Sequence, residues 1–307
     1  MNFEVFALGT SGMMPLPNRY LTSALIRREG DLFLFDCGEG TQVSLKMLNL
    51  HWKKINSIFI SHMHADHVTG LPGILMLSSQ VDRTEPLYIY GPSKLAEFID
   101  ASRRILDMYI NYEIIVTPVS EGVIVDNPDY TVTAFLLDHT KPCFGYVFEE
   151  KMRPGEFHPV KAKSLDVPMG PMWGQLQQGR EVTLSDGRVI KPEMVIGEKR
   201  MGRKFSYVTD TLYIPKIVQY VENSDLLLCE GMFTGDLEET AAEKKHMTAL
   251  QAGMIARDAK VKKMGLLHYS PRYSDKELKY LIADARTVYP EAILTRDRMC
   301  FEIPLKD

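Results

Sequence analysis

Three imidazoles and a carboxylate crowd into the stretch Ser61-His62-Met63-His64-Ala65-Asp66-His67, directly after the apolar run Ile55 to Ile60. Histidine and aspartate are rarely buried without partners, so four of them at the end of a buried strand call for a cation rather than for packing. In an extended turn His62 and His64 point to one side and can share one ion. Asp66 and His67, entering the next helix, are better placed for a second. Such donors suit zinc, with manganese or iron as substitutes. Two ions need more ligands than one loop supplies, and further donors stand where other strands give way to loops: His139, Asp210 and His268. Seven ligand-type residues on four strands suit two cations with one carboxylate bridging. A bridged pair lowers the pKa of a shared water and steadies both attacking and leaving oxygens in displacement at phosphorus, so hydrolysis is the chemistry expected.

The elements that must hold these groups follow from the apolar pattern. Phe3 to Leu8, Ser23 to Arg28 and Leu32 to Phe35 read as strands, the last ending in the Gly turn Asp36-Cys37-Gly38-Glu39-Gly40-Thr41; Val43 to Leu50 has helical spacing. Strand Ile55 to Ile60 delivers the histidine loop, with a short apolar helix at Gly70 to Ser79, a strand at Leu87 to Tyr90 and an amphipathic helix at Leu95 to Leu106. Strands dominate Glu113 to Glu149, and Tyr130 to Leu137 leads to His139. Residues 150 to 203 break the alternation with frequent Pro and Gly and read as an insertion too turn-rich to hold a core. Phe205 to Val208 then leads to Asp210, a helix spans Pro215 to Val221, and strand Asp225 to Leu228 leads to Cys229-Glu230. Thr248 with Gln251 makes a capping box for a helix at Ala249 to Ala259, and strand Lys263 to Leu267 leads to His268. Ser274 with Glu277 caps a last helix, and Ala292 to Thr295 and Met299 to Ile303 close the chain as strands.

At 307 residues and 45% hydrophobic, the sequence can bury a full core. No stretch approaches the roughly 18 uninterrupted apolar residues of a spanning helix, and the start lacks the pattern of a signal peptide, so a cytoplasmic protein without membrane partners is expected. Four dispersed cysteines fit reduced thiols. The net charge of −4 gives no hint of nucleic acid, but Lys141 to Lys204 carries 12 Lys/Arg against 8 Asp/Glu, and the run Lys199, Arg200, Arg203, Lys204 closes that window. Such a window suits a polyanion only if something else agrees.

The H-x-H-x-D-H pattern of His62 to His67 resembles the signature of the metallo-β-lactamase superfamily. A closer resemblance, running nearly end to end, is to the ribonuclease Z family, the tRNA 3′-processing endonucleases. It rests on Leu8-Gly9-Thr10-Ser11, on Phe35 through Gln42, on Ser61 through Gly73, and on Val167-Pro168-Met169-Gly170-Pro171 with Leu176, Gly179 and Asp186-Gly187-Arg188. The last set is similar to that family's flexible arm. What the resemblance implies is an α/β fold, a four-layer αββα sandwich formed by a single domain over residues 1–307, with residues 150–203 as a protruding arm that binds tRNA. It implies two zinc ions per subunit, with manganese as a substitute: one held by His62, His64 and His139, the other by Asp66, His67 and His268, with Asp210 between them. It further implies a homodimer, precursor tRNA as substrate and no DNA partner, with cleavage just after the acceptor stem leaving a tRNA 3′-hydroxyl and a trailer 5′-phosphate. His246 lines up with a histidine that protonates the departing oxygen, Glu230 orients it, and Asp66 helps with the proton of the attacking water.

Ser270 and Arg272, after the last ligand, are candidates for a non-scissile phosphate, with Lys199, Arg200, Arg203 and Lys204 for the RNA backbone. Three positions depart from the family pattern: Cys229 where a histidine is usual, and Thr209 and Asp166 where glycines are. The alternative is another hydrolase on the same scaffold, acting on small phosphodiesters. It needs the same metals but no arm.

Overall fold

The structure, a computed structural model, describes residues 2–305. They divide into two compact units: residues up to Glu149 together with Lys204–Pro304, and Glu150–Arg203.

In the larger unit two seven-stranded sheets form. The first runs in the order Met299–Glu302, Phe3–Gly9, Ser23–Arg28, Asp31–Phe35, Ile55–Phe59, Leu87–Gly91, Ile114–Pro118. The second runs Ile293–Leu294, Met264–Leu267, Leu226–Glu230, Lys204–Val208, Cys143–Glu150, Tyr130–Leu137, Gly122–Asp126. Central strands such as Phe3–Gly9 and Cys143–Glu150 are buried on both faces, which is why they read as apolar runs rather than as alternations. One face of each sheet joins a shared aromatic-rich core holding Phe33, Phe35, Phe59, Tyr146, Phe148, Phe205 and Tyr207. Phe35 stacks on Phe59 at 5.1 Å and meets Phe205 edge-on at 5.4 Å, the offset and T-shaped contacts that ring quadrupoles favour. The outer face of the first sheet packs under helices Thr41–Met47, Leu71–Gln80 and Leu95–Ile105 through Leu45, Ile74, Leu75, Leu95 and Ile99. That of the second sheet packs under Lys216–Val221, Ala249–Asp258 and Leu278–Arg286 through Ile217, Val221, Ile255, Leu281 and Ala285. Four layers, αββα, result.

Local signals place most of these elements within a residue or two. The Thr248–Gln251 capping box forms with both reciprocal hydrogen bonds. Strand Leu226–Glu230 runs two residues beyond the expected end, so Glu230 is fully buried in the sheet. Ser274 and Glu277 do bond, both the amide and the hydroxyl of Ser274 donating to Glu277, but they close the turn ahead of Leu278–Arg286.

The expectation that residues 150 to 203 are too turn-rich for a core is corrected. Helices Pro159–Ser164 and Pro171–Gln177 and the short hairpin Val182–Thr183 with Val189–Ile190 bury Ala162, Val167, Leu176, Val182, Leu184, Ile190 and Val195, with Phe157 and Trp173 packed alongside. Prolines sit at the first turns of both helices, where no amide bond is lost, so the same residues that break a pattern in sequence start elements here. The place of Arg203 in a basic RNA-facing run is corrected too. Its guanidinium is 1% exposed and pairs with buried Glu150 at 2.7 and 2.8 Å, because a buried carboxylate needs a charged partner. Among the described residues no helix is long and apolar enough to cross a membrane.

Candidate metal centre and catalytic residues

Strand ends bring the donors together. Ile55–Phe59 leads into the loop carrying His62 and His64 and then into the one-turn helix Ala65–Val68, which presents Asp66 and His67. His139 follows Tyr130–Leu137, Asp210 follows Lys204–Val208 and His268 follows Met264–Leu267. The donor atoms fall into three sets with members within 4.8 Å of one another: His62, His64, His139 and Asp210; Asp66, His67 and His268; and Asp210, His246 and His268.

Asp210 is common to two of these sets, and its two oxygens divide between the two halves. Oδ2 lies 3.6 Å from Nε2 of both His62 and His139, while Oδ1 lies 3.1 Å from His268 Nε2 and 3.3 Å from His67 Nε2. His64 Nδ1 lies 2.9 Å from His62 Nε2 and 3.2 Å from His139 Nε2. A tetrahedral ion with bonds of ~2.0–2.1 Å has ligand edges of ~3.3 Å. Nε2 of His67 and of His268 are buried with no hydrogen-bond partner, which a structure tolerates poorly unless something else satisfies them. The donors present therefore fit divalent cations.

The electrostatics agree. Burial and the neighbouring charge of His67 hold His62 well below its ordinary pKa. Burial would do the same to His67, but Asp210, Asp36 and Asp66 raise it well above. Burial pushes Asp210 up, and His268, His67 and His62 overcome it, so that it stays ionised. The same carboxylate charge that favours a proton on His67 would favour a cation, whose binding displaces ligand protons.

Each metal-facing imidazole has its other nitrogen engaged, a feature the sequence did not disclose. His67 Nδ1 donates to Asp36 at 2.7 Å, and Asp36 is held in turn by the Ser61 amide and hydroxyl and by Tyr207 Oη. His139 Nδ1 donates to the Lys245 carbonyl at 2.8 Å, His268 Nδ1 bonds Thr22 Oγ1 at 2.7 Å, and His62 Nδ1 faces Ser61 Oγ at 3.0 Å and Cys143 Sγ at 3.6 Å. Such partners fix tautomer and ring orientation. Asp36 and His268 both have positive φ, 55° and 59°, a sparsely populated conformation kept where the surroundings over-determine it. Thr209 donates to Asp210 Oδ1 at 2.7 Å. The only sequence signals for this outer layer were Asp36 beside a Gly turn and the unusual Thr209.

His246 has its ring against His139 and His268, with Nε2 3.9 Å from Asp210. Its Nδ1 lies 3.1 Å from Glu230, which also accepts the Thr211 amide. Burial lowers its pKa, but Glu230 and Asp210 raise it to about 9. Arg272 is exposed and stacks on Phe233 at 5.0 Å. Ser270 is buried and its Oγ accepts the Arg272 amide, so it braces this turn. Lys199 is exposed, Arg200 donates to the Pro154 carbonyl, and Lys204 donates to the Glu222 carbonyl from a half-buried position.

Comparison with known proteins adds independent findings. A family model described as "Anti-Pycsar protein Apyc1" matches residues 3–105, a third of the chain. A protein named ribonuclease Z from Treponema denticola is 63% identical over 308 residues, covering 100% of both chains. The crystal structure of human tRNase Z, short form, superposes with a TM-score of 0.72 at 26% identity, covering 98% of this chain and 100% of that one. The metallo-β-lactamase fold protein YhfI from Bacillus subtilis, at TM-score 0.69 and 19% identity over 99% of this chain and 100% of that one, shares the fold.

Proposed function

The chain belongs to the ribonuclease Z family, and from that premise we propose how its residues divide the work of cutting precursor tRNA. It is a metal-dependent endoribonuclease of tRNA 3′ processing. His62, His64 and His139 would hold one zinc and Asp66, His67 and His268 the other, with Asp210 shared and manganese a substitute. Such ions would supply a more acidic water and positive charge toward the phosphodiester oxygens. The observation that carries this reading is the division of Asp210 between two groups of imidazoles.

Asp66, its Oδ2 fixed by the Met13 amide at 2.7 Å, takes the proton of the attacking water. His246 gives the departing 3′-oxygen its proton from Nε2. Glu230 holds the opposite ring nitrogen and favours the charged ring, the form that can give a proton. The products are a tRNA 3′-hydroxyl and a trailer 5′-phosphate. Arg272 contacts a phosphate away from the cut, its guanidinium pre-oriented by Phe233. Residues 150–203 bind the tRNA at a distance from the acceptor end, with Lys199 and Arg200 on its backbone and Lys204 adding charge. The working form is a homodimer in the cytoplasm.

The test is cleavage of a 3′-extended precursor tRNA by the purified protein with zinc or manganese, beside His64→Ala. A single cut at the acceptor end, lost in the variant, is expected. Hydrolysis of bis(p-nitrophenyl) phosphate without any cut in the RNA would move the reading to small phosphodiesters.

A further inference from the structure

Beside the metal centre the larger unit carries a cavity of about 630 Å³ that no role above uses. It lies within the roughly 300–1,000 Å³ range of small-ligand pockets. Its floor is apolar: Met63, Phe98 and Ala101 line it, and Met63 and Phe98 lean on the core beneath the first sheet. Its lip is polar, with Lys94, Glu97, Thr140 and Lys141. Helix Leu95–Ile105 supplies Phe98 and Ala101 from adjacent turns, three residues apart, so both face the same space. Two lining residues are contiguous with the centre itself. Met63 stands between His62 and His64, and Thr140 follows His139 and has its Oγ1 3.3 Å from His64 Nε2. A ligand in this cavity therefore lies one side chain, Thr140, away from the donor His64.

We propose that this cavity is a nucleobase subsite, holding the base of a nucleotide next to the scissile phosphate. The inference rests on the ribonuclease reading above and deepens it. An aromatic ring and a thioether offer a π-face and a polarisable surface on which any base can stack. Two lysines against one glutamate leave the lip net positive, complementary to the flanking phosphates. Glu97 can accept from an exocyclic amine, which adenine, cytosine and guanine carry and uracil lacks. The subsite would thus set which nucleotide is held flanking the cut, a selection that the metal donors, which carry no contact to a base, cannot make.

The experiment uses the full-length, metal-loaded enzyme and 3′-extended precursor tRNAs that are intact or abasic at either nucleotide flanking the cut. With the wild-type chain, removing one of the two bases should lower kcat/KM about 10-fold, within what a single base–aromatic stack contributes. The position that responds identifies which side the cavity serves. In Phe98→Ala, and in Ala101→Trp, which fills the cavity, the intact substrate should fall to the abasic level and the abasic penalty should shrink below about 2-fold. Because Phe98 also packs on the core, thermal melting accompanies both variants, and Ala101→Trp decides if Phe98→Ala does not fold. An abasic penalty unchanged in the variants, or no penalty at either position in the wild type, overturns the subsite while leaving tRNA cleavage intact. No cleavage of the intact precursor by the wild-type chain would instead overturn the ribonuclease reading, and the subsite with it.

Discussion

Leu176 is fully buried in the small core of the Glu150–Arg203 unit, among Ala162, Val167, Val182, Leu184, Ile190 and Val195. Truncating it to alanine removes three buried carbons, and Leu→Ala at a buried site costs about 2–5 kcal/mol. At about 0.05–0.15 kcal/mol per residue, a unit of this length holds about 3–8 kcal/mol in all. A loss of about 5 kcal/mol, the upper end of that cost, matches or exceeds the stability in the lower half of that range and leaves the unit largely open while the larger unit, with its own cores, stays folded. Leu176→Ala should therefore raise hydrogen exchange across residues 157–196 and leave protection in the strands that carry the donors unchanged. Hydrolysis of bis(p-nitrophenyl) phosphate should match the wild type, whereas kcat/KM on precursor tRNA should fall at least about 10-fold, chiefly through KM, because the binding lost is common to ground and transition states. Unchanged tRNA cleavage with a demonstrably open unit would refute the substrate-binding role proposed for it. Retained protection throughout would refute the packing estimate.

Three further outcomes concern the outer layer of the metal centre. A Cβ on Gly12 would lie 2.7 Å from Nε2 of His268, so Gly12→Ala should push that ring from its position and weaken metal retention at least about 10-fold against a competing chelator. Asp36→Asn keeps the size and tolerates the left-handed backbone but cannot accept from Ser61, Tyr207 and His67 as a carboxylate does; metal affinity should drop about 10- to 100-fold with melting temperature only modestly changed. Thr209→Val removes the hydroxyl on Asp210 Oδ1 while keeping volume, leaving that buried oxygen short of a donor, and metal titration should show a loss of about 3- to 10-fold.

The metal-type residues were legible because their chemistry is conspicuous where a buried strand ends, and strand ends converge when strands lie in packed sheets. His62 to His67 needed only local spacing; His139, Asp210 and His268 needed the further premise that separate strands share an edge. The outer layer was not legible. Nothing local in the sequence marks Thr22 as a partner for His268, or the Lys245 carbonyl as one for His139, since those contacts exist only after distant segments meet. The small core failed for another reason: its buried residues sustain no period of 2 or 3.6 over some thirty positions, and the intervening glycines and prolines look like turns whether or not a core lies beneath them. Arg203 shows that a run of positive charge is not a surface until each partner is known.

The order in which the donors occur along the chain has a kinetic meaning. His62 and His268 stand 206 positions apart, and strand Phe3–Gly9 finds one of its neighbours, Met299–Glu302, almost at the other end of the sequence. Contacts so far apart close slowly, because the entropy of looping is spent before they form. During synthesis at about 5–20 residues per second, the loop of His62 to His67 is exposed for roughly ten seconds or more before His268 exists. Completion of the metal centre is accordingly a late event of folding, and the rate at which an added divalent cation becomes chelator-resistant reports on the docking of the two sheets.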